Sequence, residues 1–463
     1  MPHHSILIKD ASIVNEGRTI EGDVLICAGR IERIGSGIVA DGADEIIDAA
    51  GLYLLPGLID DQVHFREPGL TAKGDIATES AAAVAGGITS FMEMPNVRPP
   101  TTDRQALADK YVRATGRSRA NFAFYLGATN DNIDEIRRLE PSEACGVKMF
   151  MGASTGNMLV NDPDALDRIF ADAPLLIATH CEDSPMIAEN ERAMREKYGD
   201  DMPMSAHPAI RSAEACYKSS SLAVELAHRY DARLHVLHLT TGRELELFAP
   251  GPVTGKSITA EVCVHHLFFD ESRYADLGAQ IKCNPAIKTA ADREALLEGL
   301  ASGRIDVVAT DHAPHLASEK AERYFKAPAG LPLVQHALLS LLEYVHDGRY
   351  PLELVVTRSS HAVADLFAIA ERGYIREGYH ADLVLVDLGG QTEVSPGNIL
   401  YKCGWSPFEG YRFRSSIAAT FVNGVVAWRD GLVTDAIAGR RLDCNASRNL
   451  RPGANSQPDL PTK

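Results

Sequence analysis

Eight short apolar runs of strand length occupy the middle of this chain, at 53–59, 88–94, 121–126, 146–150, 175–179, 233–237, 258–264 and 306–310, and helical patterns such as 75–85 and 213–230 separate most of them. Alternating strands and helices imply a parallel sheet, and eight such units close into a (β/α)8 barrel of about 250 residues. In that fold the functional side chains stand just beyond the C-terminal ends of the strands, so those places are where chemistry is to be sought.

The flanks read differently. From Ser5 to about Ile47 the chain has short β-rich runs broken by glycine (Ile6-Leu7-Ile8, Asp23-Val24-Leu25-Ile26, Arg30-Ile31-Glu32-Arg33-Ile34), and the texture returns at 381–386 and 420–426. Neither flank alone offers much core. The expected architecture is therefore an α/β TIM-like barrel at 55–370 with one small split β-sandwich domain built from 1–54 and 371–440. A mobile, polar, turn-rich tail is expected at 441–463.

A net charge of −17 argues against nucleic acid or an anionic membrane surface as partner, since both need a basic footprint. An anionic small substrate stays compatible with that charge if the pocket supplies its own cations. The eight cysteines lie without a CxxC pair in a chain long enough to form a core without crosslinks, which predicts reduced thiols and a cytoplasmic location. The start Met-Pro-His-His-Ser has no basic, then apolar, export pattern, and no apolar run approaches about 18 residues, so neither export nor a membrane span is expected.

The first run continues into Asp60-Asp-Gln-Val-His-Phe-Arg66, where strand alternation sends Gln62, His64 and Arg66 to one side. Lys148 lies in the apolar run Gly146-Val-Lys-Met-Phe-Met; burial there favours a neutral amine, which can capture carbon dioxide as a carbamate with two anionic oxygens. The bland reading is a lysine whose ammonium reaches water along its stem. His180 ends Leu175-Leu-Ile-Ala-Thr-His and His238 ends Leu234-His-Val-Leu-His; imidazoles at separate strand ends, together with His64, point to a borderline ion such as zinc. His235, three residues earlier, points to the other face. Asp311, in Thr310-Asp-His-Ala-Pro-His315, can touch a metal and take a proton from water, or merely cap the next turn. Arg66 and Asn96 are suited to a carboxylate, and Asn284 is a further candidate whose residue type also favours turns. The Gly- and Ser-containing stretches around 152–158 and 315–330 are candidates for loops over the site.

These pieces resemble the amidohydrolase superfamily and, within it, the class I dihydroorotases. The resemblance runs from about residue 5 to 440 and is carried by His64-Phe-Arg-Glu-Pro-Gly69, Met94-Pro-Asn96, Thr310-Asp-His-Ala-Pro-His315 and Trp405-Ser-Pro-Phe-Glu-Gly410. It implies zinc at His64, carbamylated Lys148, His180, His238 and Asp311. It also implies a substrate carboxylate held by Arg66, Asn96 and His315, with Asn284 near the ring and backbone contacts from Ala329 and Gly330. Three departures stand out: Gln62-Val-His64 replaces His-x-His, Asn284-Pro-Ala-Ile-Lys288 replaces Asn-Pro-Pro-Leu-Arg, and Ala327-Pro-Ala-Gly330 replaces Ala-Pro-Phe-Gly. An amide oxygen is a poorer zinc ligand than imidazole, so one firmly held zinc is expected and the site leaning on Gln62 is expected to be weak or empty. The activity implied is zinc-dependent cyclic amide hydrolysis, interconverting N-carbamoyl-L-aspartate and L-dihydroorotate in pyrimidine synthesis. The alternatives are an allantoinase or hydantoinase, or a non-catalytic scaffold for aspartate transcarbamoylase. A homo-oligomer, and association with that transcarbamoylase, complete the expectations.

Overall fold

The structure is a computed structural model that describes residues 5–39, 42–152 and 157–444. Within it, eight segments pair side by side and parallel. They are Leu58–Val63, Ile88–Glu93, Asn121–Phe124 (continued past Tyr125 by Leu126–Gly127), Val147–Phe150, Ile177–His180, Leu234–Val236, Ile258–Cys263 and Val307–Ala309. The end of the last meets the end of the first: Val63 bridges His312 in parallel, and the His64 N–H donates to the His312 carbonyl at 2.7 Å. That closure makes an α/β barrel of the TIM type. Its interior packs Ile59, Met92, Ala123, Tyr125, Ala178, Leu237 and Val307 together with Phe367.

The helices between the strands start where polar caps tell them to. Asp75 accepts from the Ala77 and Thr78 N–H groups ahead of Ile76–Ala85, and Ser212 accepts from Ala215 ahead of Ala213–Tyr230. Among the described residues, no helix is long and apolar enough to cross a membrane.

The run at 53–59 proves to be two strands. Tyr53–Pro56 belongs to the flanking sheet, and the barrel strand begins at Leu58, after a Gly57 whose missing Cβ makes room for the Thr89 side chain. The two flanks do meet, because Tyr53–Pro56 lies between Ser5–Asn15 on one side and Leu383–Asp387 on the other. The result is one hydrogen-bonded sheet of nine strands over a core that includes Ile6, Val24, Ile26, Leu54, Leu383 and Phe421. The run at 420–426 is the tip of a hairpin: Asn423 and Gly424 both take positive φ (50° and 74°), as a two-residue primed turn requires, and Val422 pairs with Val425. Of the expected tail, residues 441–444 lie against the molecule, with Leu442 buried and its N–H donating to the Phe122 carbonyl; residues 445–463 fall outside the described part, as do 153–156 of the stretch at 152–158.

Candidate active site

The strand ends converge on a cavity of about 660 Å³, and every residue singled out from the sequence as a site residue lines it: Gln62, His64, Arg66, Asn96, Lys148, His180, His238, Asn284, Asp311, His315, Ala329 and Gly330. Three of them, Arg66, His238 and Asp311, hold positive φ (70°, 39° and 50°) without being glycine. Each such residue stores on the order of 1–3 kcal/mol of strain, which the surrounding structure must over-determine. The backbone leaves the strands here in a direction set by the site.

Lys148 rises from the fourth barrel strand. Its side chain is 1% exposed, and Nζ has no hydrogen-bond partner and sits 4.5 Å from the centre of the Phe150 ring. Burial, partly offset by Asp311 and Glu261, pushes the ammonium down to about 7. The amine is therefore substantially neutral, the form that reacts with carbon dioxide.

On one side of Lys148, His180 Nδ1 faces His238 Nε2 at 3.0 Å. Two nitrogens bound to one tetrahedral zinc at its usual distances stand about 3.3 Å apart, so this pair fits a shared ion. The other nitrogen of His180 donates to Glu182 Oε2 at 2.9 Å, and Arg211 donates to the same oxygen at 2.5 Å. That contact fixes the tautomer and leaves Nδ1 as the lone-pair nitrogen. Burial would raise the Glu182 carboxyl, but Arg211 and His180 prevail and hold it down to about 2. Burial keeps both imidazoles of the pair below the usual histidine range, as a ligand requires.

On the other side, His64 Nε2 lies 3.0 Å from Asp311 Oδ1, and the Gln62 amide donates to that same oxygen at 3.1 Å. Asn96 Oδ1 accepts from His64 Nδ1 at 2.7 Å, so Asn96 positions an expected metal ligand as well as facing the cavity. The Gln62 carbonyl oxygen turns toward Cys263 Sγ, 3.9 Å away. Taken together, the buried, neutral imidazole pair and the partnerless lysine suit a borderline divalent ion at the His180–His238 side. At the His64 side the amide takes up acceptor capacity that an ion would need.

The third side is cationic. Arg66 Nε donates to the Pro314 carbonyl at 3.1 Å, and Nη2 stands 3.1 Å from His315 Nε2. Burial lowers the Arg66 guanidinium to about 10, still fully charged at neutral pH. Burial, with Arg66, Lys73 and Lys320 adding to it, keeps His315 neutral far below the usual range. Asn284 Oδ1 is buried without a partner. Of the expected backbone contacts, the Ala329 carbonyl already faces His315 Nε2 at 2.9 Å and the Gly330 N–H donates to the Lys282 carbonyl. The stretch at 315–330 is tied down by Lys320, whose Nζ donates to the carbonyls of Lys282, Pro328 and Gly330.

Sequence reasoning missed Lys73, which lies 3.0 Å from His315 Nδ1, and the Glu182–Arg211 pair behind His180. Glu182, two residues past His180, carried a signal; Lys73 and Arg211, in irregular segments, carried none. His312 is structural, held by Glu79 at 2.8 Å, and His235 points away from the cavity into a buried cluster with Asp61 and Glu261.

The Amidohydrolase family matches residues 53–427. A dihydroorotase from Halobacterium salinarum is 34% identical over 440 residues, covering 94% of this chain and 99% of the relative. An allantoinase from Solibacter usitatus is 33% identical over 462 residues, covering 97% of each. The solved L-hydantoinase (dihydropyrimidinase) from Arthrobacter aurescens superposes with a TM-score of 0.89 at 27% identity, covering 94% of this chain and 99% of that one. With a family match across the whole barrel and relatives above 30% identity along nearly the full length, this chain belongs to the amidohydrolase family.

Proposed function

We propose that this chain is a zinc-dependent cyclic amide hydrolase that interconverts L-dihydroorotate and N-carbamoyl-L-aspartate, with ring closure as the direction used in pyrimidine synthesis. One observation carries the choice of substrate: the buried guanidinium of Arg66 faces the same cavity as the histidine, lysine and aspartate donors. Among the described residues Arg66 makes no close ion pair, Asp311 acting on it only across the cavity; such a buried cation favours an anionic ligand, and a ring bearing a carboxylate meets that need.

In this reading Lys148, carbamylated, holds zinc together with His180 and His238, while His64 and Asp311 offer a second, weaker position that Gln62 does little to complete. Zinc in such a set supplies Lewis acidity, polarising a carbonyl and acidifying water. Asp311 accepts the proton of the attacking water as its oxygen bonds to the ring carbonyl carbon. When the carbon–nitrogen bond breaks, Asp311 returns that proton to the departing nitrogen. Ring closure runs the same transfers backwards. Arg66 receives the carboxylate with its terminal nitrogens, since Nε is committed to Pro314, and Asn96 and His315 orient the ring.

The test is turnover of metal-replete protein on dihydroorotate, allantoin and hydantoins. Arg66→Met is expected to lower kcat/KM for dihydroorotate about 10²-fold, the worth of a charge-assisted pair, and to leave uncharged hydantoins little changed. An unchanged value for dihydroorotate removes the carboxylate assignment. The relatives named allantoinase and L-hydantoinase support a second reading, a neutral cyclic amide as substrate, which preferential turnover of allantoin or hydantoins would favour. No turnover in any arm would favour the scaffold reading. A cytoplasmic, homo-oligomeric enzyme that associates with aspartate transcarbamoylase belongs to the same proposal, checked by native mass and co-purification.

A further inference from the structure

Next to the catalytic cavity, the seventh barrel strand ends in Cys263 and turns at once into the short helix Val264–Phe268, which carries His265 and His266. The three side chains are buried, and one donor atom from each lies within 4.8 Å of the others. The two rings are 4.0 Å apart. Neither ring nitrogen of His265 makes a well-formed hydrogen bond, the Thr310 carbonyl being its one marginal partner, and Nδ1 of His266 makes none while Nε2 faces the Pro285 carbonyl at 3.2 Å. A neutral imidazole has one donor and one acceptor to satisfy, and folded proteins rarely leave them without well-formed partners away from water.

The other buried three-residue group, Asp61, His235 and Glu261, differs. Burial opposes the charge on His235, but the two carboxylates beside it hold it up to about 9, so that cluster brings its own cation. Cys263, His265 and His266 have none. Burial pushes His265 down to about 4 and His266 well below the usual range, which leaves both as neutral lone-pair donors at neutral pH.

We propose that Cys263, His265 and His266 form a metal site separate from the cavity ligands, one that takes zinc or another borderline divalent ion in a structural role. Thiolate and imidazole are the donors such ions prefer; Nε2 of His266 faces the Pro285 carbonyl at 3.2 Å, which leaves Nδ1 as its ligand atom, and Gln62 Oε1, 3.9 Å from Cys263 Sγ, is a further oxygen donor. Burial keeps the Cys263 thiol protonated until an ion arrives; on binding, sulfur passes its proton to solvent and donates its lone pair to the metal, with no change of oxidation state. The ion braces the strand whose Glu261 accepts from the His238 N–H at 3.0 Å and lies 3.5 Å from Cys263 Sγ, and it does so whichever ring the enzyme opens.

Among the described residues no cysteine lines the catalytic cavity, so a sulfur-to-metal signal reports on the proposed site alone. The full-length protein is stripped with chelator and reloaded with cobalt(II). The expected result is a thiolate-to-cobalt charge-transfer band in the near ultraviolet that is lost in Cys263→Ser and kept in Cys181→Ser. X-ray absorption at the zinc edge on the unmutated protein detects the same sulfur ligand without relying on a variant to fold, with a sulfur shell expected at about 2.3 Å. Absence of the band and of the sulfur shell, or a band that outlives Cys263→Ser or vanishes with Cys181→Ser, overturns the proposal.

Discussion

At one end of the cavity His180 and His238 face each other nitrogen to nitrogen, with Glu182 and Arg211 fixing the tautomer from behind; at the other, His64 and the Gln62 amide converge on a single oxygen of Asp311. The chemistry of the two ends follows from what each group lacks. The His180 Nδ1 lone pair takes either a proton carried by His238 Nε2 or a cation between the two rings. A carboxylate that already accepts from an amide is partly satisfied and gives up a hydrogen bond when it ligates an ion. One end thus suits a metal, while at the other the Gln62 amide ties Asp311 into an internal hydrogen bond.

The largest effect is expected where the two ends share a group. Lys148→Met removes the amine between them, and both metal content and turnover should fall, turnover by about 10³-fold or more given what Lewis-acid and water-activating roles contribute. Mass spectrometry under carbon dioxide should show the increment of a carbamate on the wild type and not on the variant. Next, Asp311→Asn should cut turnover by about 10²–10⁴-fold, the range of a general acid–base, while the metal at His180 and His238 stays; equal loss of metal would mean that the ends are not independent. Gln62→His sharpens the comparison directly. It restores an imidazole at the weaker end and should add about one equivalent of zinc relative to wild type, measured by elemental analysis after dialysis.

The smallest effect is on stability. The Glu182 carboxyl is held down to about 2 from an ordinary 4.5. A depressed carboxylate contributes its full stabilisation above its unfolded value, here on the order of 3 kcal/mol, and loses it as pH falls toward the folded value. Denaturant unfolding of wild type and Glu182→Gln should therefore differ most above about pH 4.5, and the gap should narrow toward pH 2. A gap independent of pH would show that Glu182 acts through packing.

Much of the site was legible because a barrel writes its chemistry at the ends of its strands. Lys148, His180, His238 and Asp311 each stood out as a polar residue in or just after an apolar run, and strand alternation alone set His235 apart from His238. What could not be read depended on tertiary placement. Gly57 ends one strand and admits Thr89, which splits a run that looks continuous. Asn423-Gly424 is a hairpin signal, yet the β-prone residues on both sides of it make 420–426 read as one run. Lys73 lies in a segment without periodicity, so nothing local announced its approach to His315. Strand polarity told where to look for ligands, and only the fold told that Gln62 would spend its amide on Asp311.

The most direct test of a metal seated at the His180–His238 end is an anomalous difference map at the zinc edge, from crystals of protein purified without chelator and active on dihydroorotate. A peak in contact with His180 Nδ1, His238 Nε2 and Lys148, with a weaker one or none between His64 and Asp311, is the predicted result. A metal-free cavity in protein that still opens the ring would contradict it.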